Sequence, residues 1–174
     1  MKKIGLLSDT HGDLNERLLN FFANVDEIWH AGDIGNIETS DRLAAYKPLK
    51  AVYGNIDGAE LRQIWPLHQR FFCEQVDVWI THIGGYPRHY DRLVREELTN
   101  KPPGLFICGH SHILKVIYDQ QLNFLHINPG AAGNKGFHHK ITAIRFVIDG
   151  ANIQNMEIWE QDRNNEPVLG EDPD

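Results

Sequence analysis

Short apolar runs and amphipathic helical segments alternate along the first two thirds of the chain. Apolar residues at helical spacing predict helices, whereas short apolar or alternating runs predict strands. The predicted strands are 2–7, 26–30, 49–53, 76–81 and 105–108, and the predicted helices follow Asp13, span 37–46 and span 90–98. Asp13 with Glu16 three residues later resembles a capping box, which predicts that Asp13 caps the first helix.

The last third of the chain changes to strands alone. Two strand pairs, 113–118 with 122–127 and 141–148 with 153–159, flank short turns. The second turn contains Asp149-Gly150, which is a strong hairpin signal. Strand–helix units followed by strands predict an α/β domain in which two β-sheets pack together with helices outside them.

Composition and charge favour one folded domain. The chain has 174 residues, of which 41% are hydrophobic, enough to bury a core without disulfides. We expect residues 1–160 to form a single domain and residues 161–174 to form an acidic tail, where five acidic residues accompany one arginine. The net charge is −7, and this tail contributes −4 of it. The rest of the chain therefore has no broad basic surface, which argues against a dedicated nucleic-acid binder.

The sequence favours a cytoplasmic protein with no membrane partner. Its first apolar stretch is interrupted too early for a signal peptide, and no segment approaches the length of a transmembrane helix. Cys73 and Cys108 lie in apolar runs and form no disulfide framework, so we expect reduced, buried thiols. The sequence leaves the oligomeric state open.

Polar side chains collect where the predicted strands end. Five strand ends deliver seven oxygen and nitrogen donors: Asp9, His11, Asp33, Asn55, His82, His110 and His112. In open α/β sheets, ligands bind in the crevice outside the carboxyl ends of the strands. Seven donors exceed the shell of one tetrahedral ion, and a structural zinc site would normally use thiolates. Two divalent ions about 3.5–4 Å apart, which share a carboxylate, fit this donor count.

The donor types narrow the choice of metal. Mixed imidazole, carboxylate and amide ligands suit manganese, zinc, iron, nickel or cobalt, and the donor types do not choose among these metals. Our expectation is manganese. On this interpretation Asp9 and His11 end the first strand as metal ligands, whereas Asp13 is a helix cap.

The order of the motifs SDTHG, GD, GN, TH and GHSH resembles the calcineurin-like metallophosphoesterase family, in particular its small bacterial and archaeal phosphodiesterases. The resemblance covers residues 2–159, and NPGAAG at 128–133 resembles a further turn of the family. It implies a four-layer αββα sandwich with two mixed β-sheets and helices outside. It also implies hydrolysis of a small phosphate ester, with phosphodiesters favoured over monoesters.

The resemblance further implies roles for individual residues. One ion would be held by Asp9, His11, Asp33 and His112, and the other by Asp33, Asn55, His82 and His110. Asp33 would bridge the ions, and a water or hydroxide between them would be the nucleophile. The candidate catalytic residues are therefore Asp33, Asn55 and Asp57, the last as the aspartate that orients a histidine in other members.

This chain departs from the family pattern at one chemically important position. Many members have a histidine directly after the asparagine, where it assists the leaving group, but here that residue is Ile56. The leaving-group acid is therefore not identified by the sequence. Arg88 and His89 closely follow His82 and are the candidates for substrate contact.

We expect other histidines to be structural or solvated residues rather than metal ligands. His30 and His126 lie within strands, where we expect hydrogen-bonded structural roles. His138 and His139 follow a glycine-rich stretch, and we expect solvated loop residues there, with contact to substrate as the alternative.

Two other functions use the same features. A scaffold or interaction protein, similar to the retromer subunit that resembles this family, would share the fold without the chemistry. Erosion of the metal ligands would indicate that role, and all seven are present here. A metal-dependent nuclease would need a basic or aromatic track along the rim, which the sequence does not show.

Overall fold

The computed structural model describes residues 1–163. Its first six elements are β1 (Lys2–Leu7), α1 (Glu16–Phe21), β2 (Glu27–His30), α2 (Ile37–Tyr46), β3 (Leu49–Ala51) and α3 (Ala59–Ile64). Then follow β4 (His68–Cys73), β5 (Val76–Thr81), β6 (Gly85–Tyr86), β7 (His89–Tyr90), α4 (Arg92–Asn100) and β8 (Leu105–Ile107). The last four are β9 (Leu114–Asp119), β10 (Phe124–Pro129), β11 (Lys140–Asp149) and β12 (Asn152–Asp162).

Two five-stranded sheets organise these elements. Sheet A has the strand order β12-β11-β1-β2-β3, and sheet B has the order β4-β5-β8-β10-β9. Each sheet is mixed, because three neighbouring strands run parallel and the remaining ladders of the sheet are antiparallel. The α/β class with two mixed sheets that the sequence predicts is therefore confirmed.

Alternating side chains of sheet A face two different layers. Ile4 and Leu6 of β1 point into the core between the sheets, whereas Leu7 joins the cluster beneath α1. Gly5 lies on that helix-facing side, where an added Cβ would stand 2.8 Å from the ring of Phe22. Glycine at this position lets the helix approach the strand closely.

Sheet B shows the same two-sided burial. Val78 and Ile80 of β5 contribute to the core between the sheets. Trp79, between them in sequence, packs outwards with Val94 and Leu98 of α4. Both faces of the central strands are thus buried, which explains their nearly continuous apolar sequences.

The structure corrects several local predictions. Asn15, not Asp13, caps α1, because its side chain accepts a hydrogen bond from the Arg17 amide. Asp13 instead accepts one from the amide of Asn134. Helix α3, strand β4 and the β6–β7 ribbon are elements that the sequence patterns do not predict. Strand β12 extends to Asp162, two residues into the predicted acidic tail, and residues 164–174 of that tail lie outside the described residues.

Candidate metal centre

The candidate ligands lie where the carboxyl ends of the parallel strands of both sheets meet. Asp9 follows β1 and Asp33 follows β2, which are parallel neighbours in sheet A. His82 follows β5 and His110 follows β8, which are parallel neighbours in sheet B. Because the strands in each pair run in the same direction, their ends deliver these side chains to one edge.

Six of the seven donors form two compact groups. The first group is Asp9, His11 and His112, and the second is Asp33, His82 and His110. Within each group, the candidate ligand atoms all lie within 4.8 Å of one another. His112 Nε2 is 3.2 Å from Asp9 Oδ1, and His82 Nε2 is 3.2 Å from Asp33 Oδ2.

Asp33 also lies close to the first group. Its Oδ2 atom is 3.5 Å from His11 Nε2, besides its contact with His82. Its other oxygen, Oδ1, accepts a hydrogen bond of 3.1 Å from the backbone amide of Ile56. One carboxylate oxygen therefore stands between imidazoles of both groups, while the second oxygen holds the carboxylate in place.

Several buried polar atoms at this edge have no hydrogen-bond partner among the described residues. They include Asp9 Oδ1, His11 Nε2 and His82 Nε2. An unpaired buried polar atom is costly, by roughly 1–3 kcal/mol each, so such atoms are rarely left without a function. Divalent cations would satisfy all three atoms at once. The donor chemistry and the unpaired atoms therefore fit a metal centre.

The charges of the site also favour cations. Burial alone would raise the pKa of Asp9, but the imidazoles of His11 and His112 hold it below its ordinary value. Burial likewise opposes ionisation of Asp33, whose pKa is nevertheless lowered by His82. Both carboxylates therefore stay ionised at neutral pH, and each leaves a negative charge to be neutralised.

Hydrogen bonds behind two histidines fix which nitrogen faces the site. His82 Nδ1 donates to the carbonyl of Ala31 at 2.8 Å, so Nε2 is the ring nitrogen that faces Asp33. His138 Nε2 donates to the carbonyl of Gly133 at 2.9 Å, which leaves His138 Nδ1 to accept from His112 Nδ1 at 3.2 Å. Burial lowers the pKa of His138, which keeps this ring neutral. His112 thus also presents Nε2 to its group.

The role of His138 differs from the prediction. It is half-buried behind His112 rather than a solvated loop residue, whereas His139 is exposed. Its only sequence signal is the preceding glycine-rich stretch, which lets the loop approach closely. At Gly136, whose φ is +130°, an added Cβ would overlap the ring of His112.

Five candidate ligands have left-handed backbone conformations. The φ angles are 54° at Asp9, 48° at His11, 54° at Asp33, 71° at His110 and 59° at His112. Such conformations cost about 1–3 kcal/mol each for residues other than glycine and concentrate at functional sites. Backbone hydrogen bonds between the loops after β1 and β2 hold the first three, including those from Asp9 N to Gly32 O and from His11 N to Asp33 O.

Asp57 organises loops rather than pointing at the ligand groups. Its buried carboxylate accepts backbone hydrogen bonds from Ile34 at 3.1 Å, Gly35 at 2.8 Å and Gly54 at 2.8 Å. It therefore joins the loop that carries Asp33 to the loop that carries Asn55. No histidine follows Asn55 for it to orient, because Ile56 occupies that position and is 47% exposed.

The structure brings Asn55 and His89 to the neighbourhood of the site but separates Arg88 from it. Asn55 is exposed and lines a cavity of about 200 Å³ together with His82. His89 lines a second cavity together with His110. Arg88 lines another cavity, beside Tyr90, which contains none of the candidate ligands.

His30 has the structural role that its strand position predicts. Its Nδ1 accepts from the Gly32 amide at 3.1 Å, so its Nε2 donates to Thr10 Oγ1 at 3.0 Å. Thr10 in turn donates to the carbonyl of Ile34. Burial lowers the pKa of His30 to about 4. The neutral ring therefore connects the two loops that carry Asp9 and Asp33.

Comparison with known proteins identifies the class. Residues 1–151 match the calcineurin-like phosphoesterase superfamily domain. The chain belongs to this family, which confirms the resemblance seen in its motifs. A curated protein of Methanocaldococcus jannaschii named "Probable metallophosphoesterase" is 34% identical over 138 residues, which are 74% of this chain and 67% of that protein.

Solved structures share the fold at lower identity. A structure described as a novel archaeal phosphodiesterase is 20% identical with a TM-score of 0.68, covering 90% of this chain and 99% of that one. Wild-type Vps29 of Entamoeba histolytica, solved in complex with Zn²⁺, is 15% identical with a TM-score of 0.70, covering 93% and 99%. Among the described residues, no helix is both long and apolar enough to cross a membrane.

Proposed function

We propose that this protein is a dinuclear, divalent-metal-dependent phosphoesterase that hydrolyses phosphodiesters. The observation that carries the proposal is the convergence of two ligand groups where the two sheets meet, with Asp33 Oδ2 within 3.5 Å of imidazoles from both. Asp9, His11 and His112 would hold one ion. Asp33, His82, His110 and Asn55 would hold the other, with Asp33 shared.

The chain's own residues prepare the site for this chemistry. When bound, the ions would neutralise phosphate oxygens and lower the pKa of a water towards neutrality. Ala31 and His138 hold the rings of His82 and His112 so that both Nε2 atoms face the ions. Asp57 fixes the loops of Asp33 and Asn55 relative to each other through three backbone amides. The site is thus largely organised before a substrate arrives.

Two observations support a small phosphodiester as substrate. The candidate centre is open to solvent on one side, since His110 is exposed and His11 and His112 are only partly buried. The archaeal phosphodiesterase has the same fold. The mixed nitrogen and oxygen donors suit manganese, zinc, iron, nickel or cobalt, and manganese is the metal that we propose.

The test combines metal analysis with a substrate panel. The purified protein is stripped with chelator, reloaded with each candidate metal, and assayed on matched phosphate monoesters and diesters. We expect no hydrolysis after stripping, restoration by manganese, and faster hydrolysis of diesters. Full activity in rigorously metal-free protein would contradict the proposal.

A scaffold function is the second candidate. Vps29 structures share this fold, and one of them is described as a Zn²⁺ complex. Metal binding by itself therefore does not separate an enzyme from a scaffold. Turnover by the reloaded protein would favour the enzyme, whereas stoichiometric metal without turnover on any ester would favour the scaffold.

A further inference from the structure

A cavity of about 540 Å³ opens beside the second ligand group. His110 belongs both to this group and to the cavity wall, so a phosphate at the candidate metal centre would lie next to the cavity. Pockets for small organic groups measure roughly 300–1,000 Å³, and this cavity lies within that range. It is therefore placed and sized to receive a substituent of the phosphate ester.

One wall of the cavity is aromatic. Tyr86 and His89 are paired across the β6–β7 ribbon, and their ring centroids lie 5.0 Å apart. Lys115 Nζ lies 4.2 Å from the centroid of the Tyr86 ring, in a cation–π contact. Tyr86 is 45% exposed, although a large aromatic side chain gains by burial. Part of the residue thus remains uncovered by His89 and Lys115 and can contact a planar group.

The inner wall contains an unsatisfied histidine. His126 is 1% exposed, and neither of its ring nitrogens has a hydrogen-bond partner among the described residues. Its ring packs against Tyr90 and Phe106 instead. The ring is buried as its strand position predicts, but the predicted hydrogen bonds are missing among the described residues. Burial lowers the pKa of His126 to about 4, so the neutral ring has one donor and one acceptor.

We propose that this cavity binds a planar heteroaromatic substituent of the substrate, of nucleobase size, which stacks on Tyr86 and hydrogen-bonds to His126. The proposal rests on the proposed function, since it places the phosphate at the candidate metal centre. A stacking wall alone would accept any aryl group. An inner donor and acceptor would additionally favour a ring with polar edge atoms, because only such a ring satisfies them.

Binding to the metal-loaded protein tests the cavity without requiring turnover. Three phosphate monoesters are titrated calorimetrically: methyl phosphate, phenyl phosphate and adenosine 5′-monophosphate. They share the phosphate group and differ in the substituent. We expect adenosine 5′-monophosphate to bind most tightly, phenyl phosphate next and methyl phosphate most weakly. Stacking of one base on an aromatic side chain corresponds to about 5- to 150-fold in affinity.

Two variants test whether Tyr86 and His126 produce the preference for a heteroaromatic substituent. Tyr86→Ala should reduce the affinity ratio of phenyl phosphate to methyl phosphate to about one. His126→Phe should reduce the ratio of adenosine 5′-monophosphate to phenyl phosphate by about 3- to 10-fold, as expected for one lost hydrogen bond. Tyr118→Ala is the matched control, because Tyr118 is an exposed tyrosine outside the cavity, and it should keep both ratios.

The possible outcomes separate the two proposals. Ring-dependent binding that Tyr86→Ala abolishes supports the cavity proposal even if no ester is hydrolysed. Equal affinity for the three ligands, or ratios that Tyr86→Ala does not change, would overturn it while leaving the phosphoesterase proposal intact. Because Tyr86 is exposed and lies on a two-residue strand, this variant tests the cavity even if His126→Phe folds poorly.

Discussion

His138 lies directly behind His112, with the Nδ1 atoms of the two rings 3.2 Å apart. Because His138 Nε2 is committed to the carbonyl of Gly133, the shared proton belongs to His112 Nδ1. The nitrogen that His112 presents as a candidate ligand is therefore selected by a residue that does not itself belong to either ligand group. Such outer partners typically account for 10- to 100-fold in metal affinity.

Replacing His138 should selectively weaken metal binding by the first ligand group. We expect His138→Phe to lower manganese affinity by about 10- to 100-fold, because the ring of His112 loses its hydrogen-bond acceptor. Calorimetric titration of the stripped protein measures this. His138→Gln keeps an acceptor and should recover part of the affinity, while His139→Phe on the same loop should behave as wild type. Equal affinity in wild type and His138→Phe would show that His138 does not orient the ligand.

Asp33 should be the most sensitive of the ligands. Asp33→Ala removes the carboxylate that contacts imidazoles of both groups, so metal occupancy should fall at both positions and nearly all turnover should be lost. Asn55→Ala removes a neutral donor at one position, and the metal content should fall by at most one ion. Metal analysis by mass spectrometry distinguishes these results. About two ions per chain in Asp33→Ala would rule out a shared carboxylate.

Ile56 should limit the range of leaving groups. A general acid typically contributes about 10²- to 10⁴-fold, and only when the leaving group needs a proton. We therefore expect wild-type protein to hydrolyse nitrophenyl diesters well and alkyl diesters poorly. Ile56→His would place an imidazole on the exposed rim beside Asn55 and should accelerate alkyl more than aryl substrates. Ile56→Gln, which is polar but has no comparable acid, is the control.

The dependence of the rate on leaving-group pKa measures this effect. A steep dependence in wild type that flattens in Ile56→His is the expected result. A wild-type rate that already varies little with leaving-group pKa would mean that another proton donor exists, and His89 would be tested next.

Acid should destabilise the protein partly through two buried histidines. His30 and His126 have pKa values of about 4, below their ordinary 6.5. Each contributes stability that is fully present above about pH 6.5 and is lost as the pH falls towards 4, because the unfolded state binds the proton first. The free energy of unfolding should therefore decline between these pH values.

His126→Phe isolates one of these two contributions. We expect its free energy of unfolding to decline less steeply than that of wild type, by up to about 1.4 kcal/mol per pH unit. Urea unfolding of metal-free protein between pH 7 and pH 4 measures the difference, and His139→Phe at an exposed position should keep the wild-type slope. Parallel pH profiles of wild type and His126→Phe would show that His126 takes up its proton without unfolding.

The sequence located the candidate ligands more directly than the side chains that support them. Asp9, Asp33 and His82 follow apolar strands, so the apolar run that predicts each strand, and the point where it ends, locate them directly. His138 could not be found in this way, because its partner His112 is 26 residues away and only the folded loop brings the rings together. Long-range pairs of this kind leave no local pattern.

Local ambiguity explains the remaining differences. Asp13 and Asn15 are both residue types that cap helices, and only the backbone geometry at Asn15 decides between them. Helix α3 has six residues and one buried side chain, Leu61, so its apolar periodicity is too short to detect. Strand β4 lies at the edge of sheet B and buries mainly Cys73, which weakens the alternation of apolar and polar residues along it.

Each ligand group draws side chains from both sheets. Asp9 and His11 extend from sheet A and His112 from sheet B, while Asp33 extends from sheet A and His82 and His110 from sheet B. Ions at these positions would be coordinated by side chains from both sheets and would link the sheets together. The thermal stability of the fold should therefore increase with the concentration of free metal. Free metal at 100 times the dissociation constant would add about 2.7 kcal/mol for one site. A low concentration of free metal in the cell would therefore also lower the free energy of unfolding of the protein.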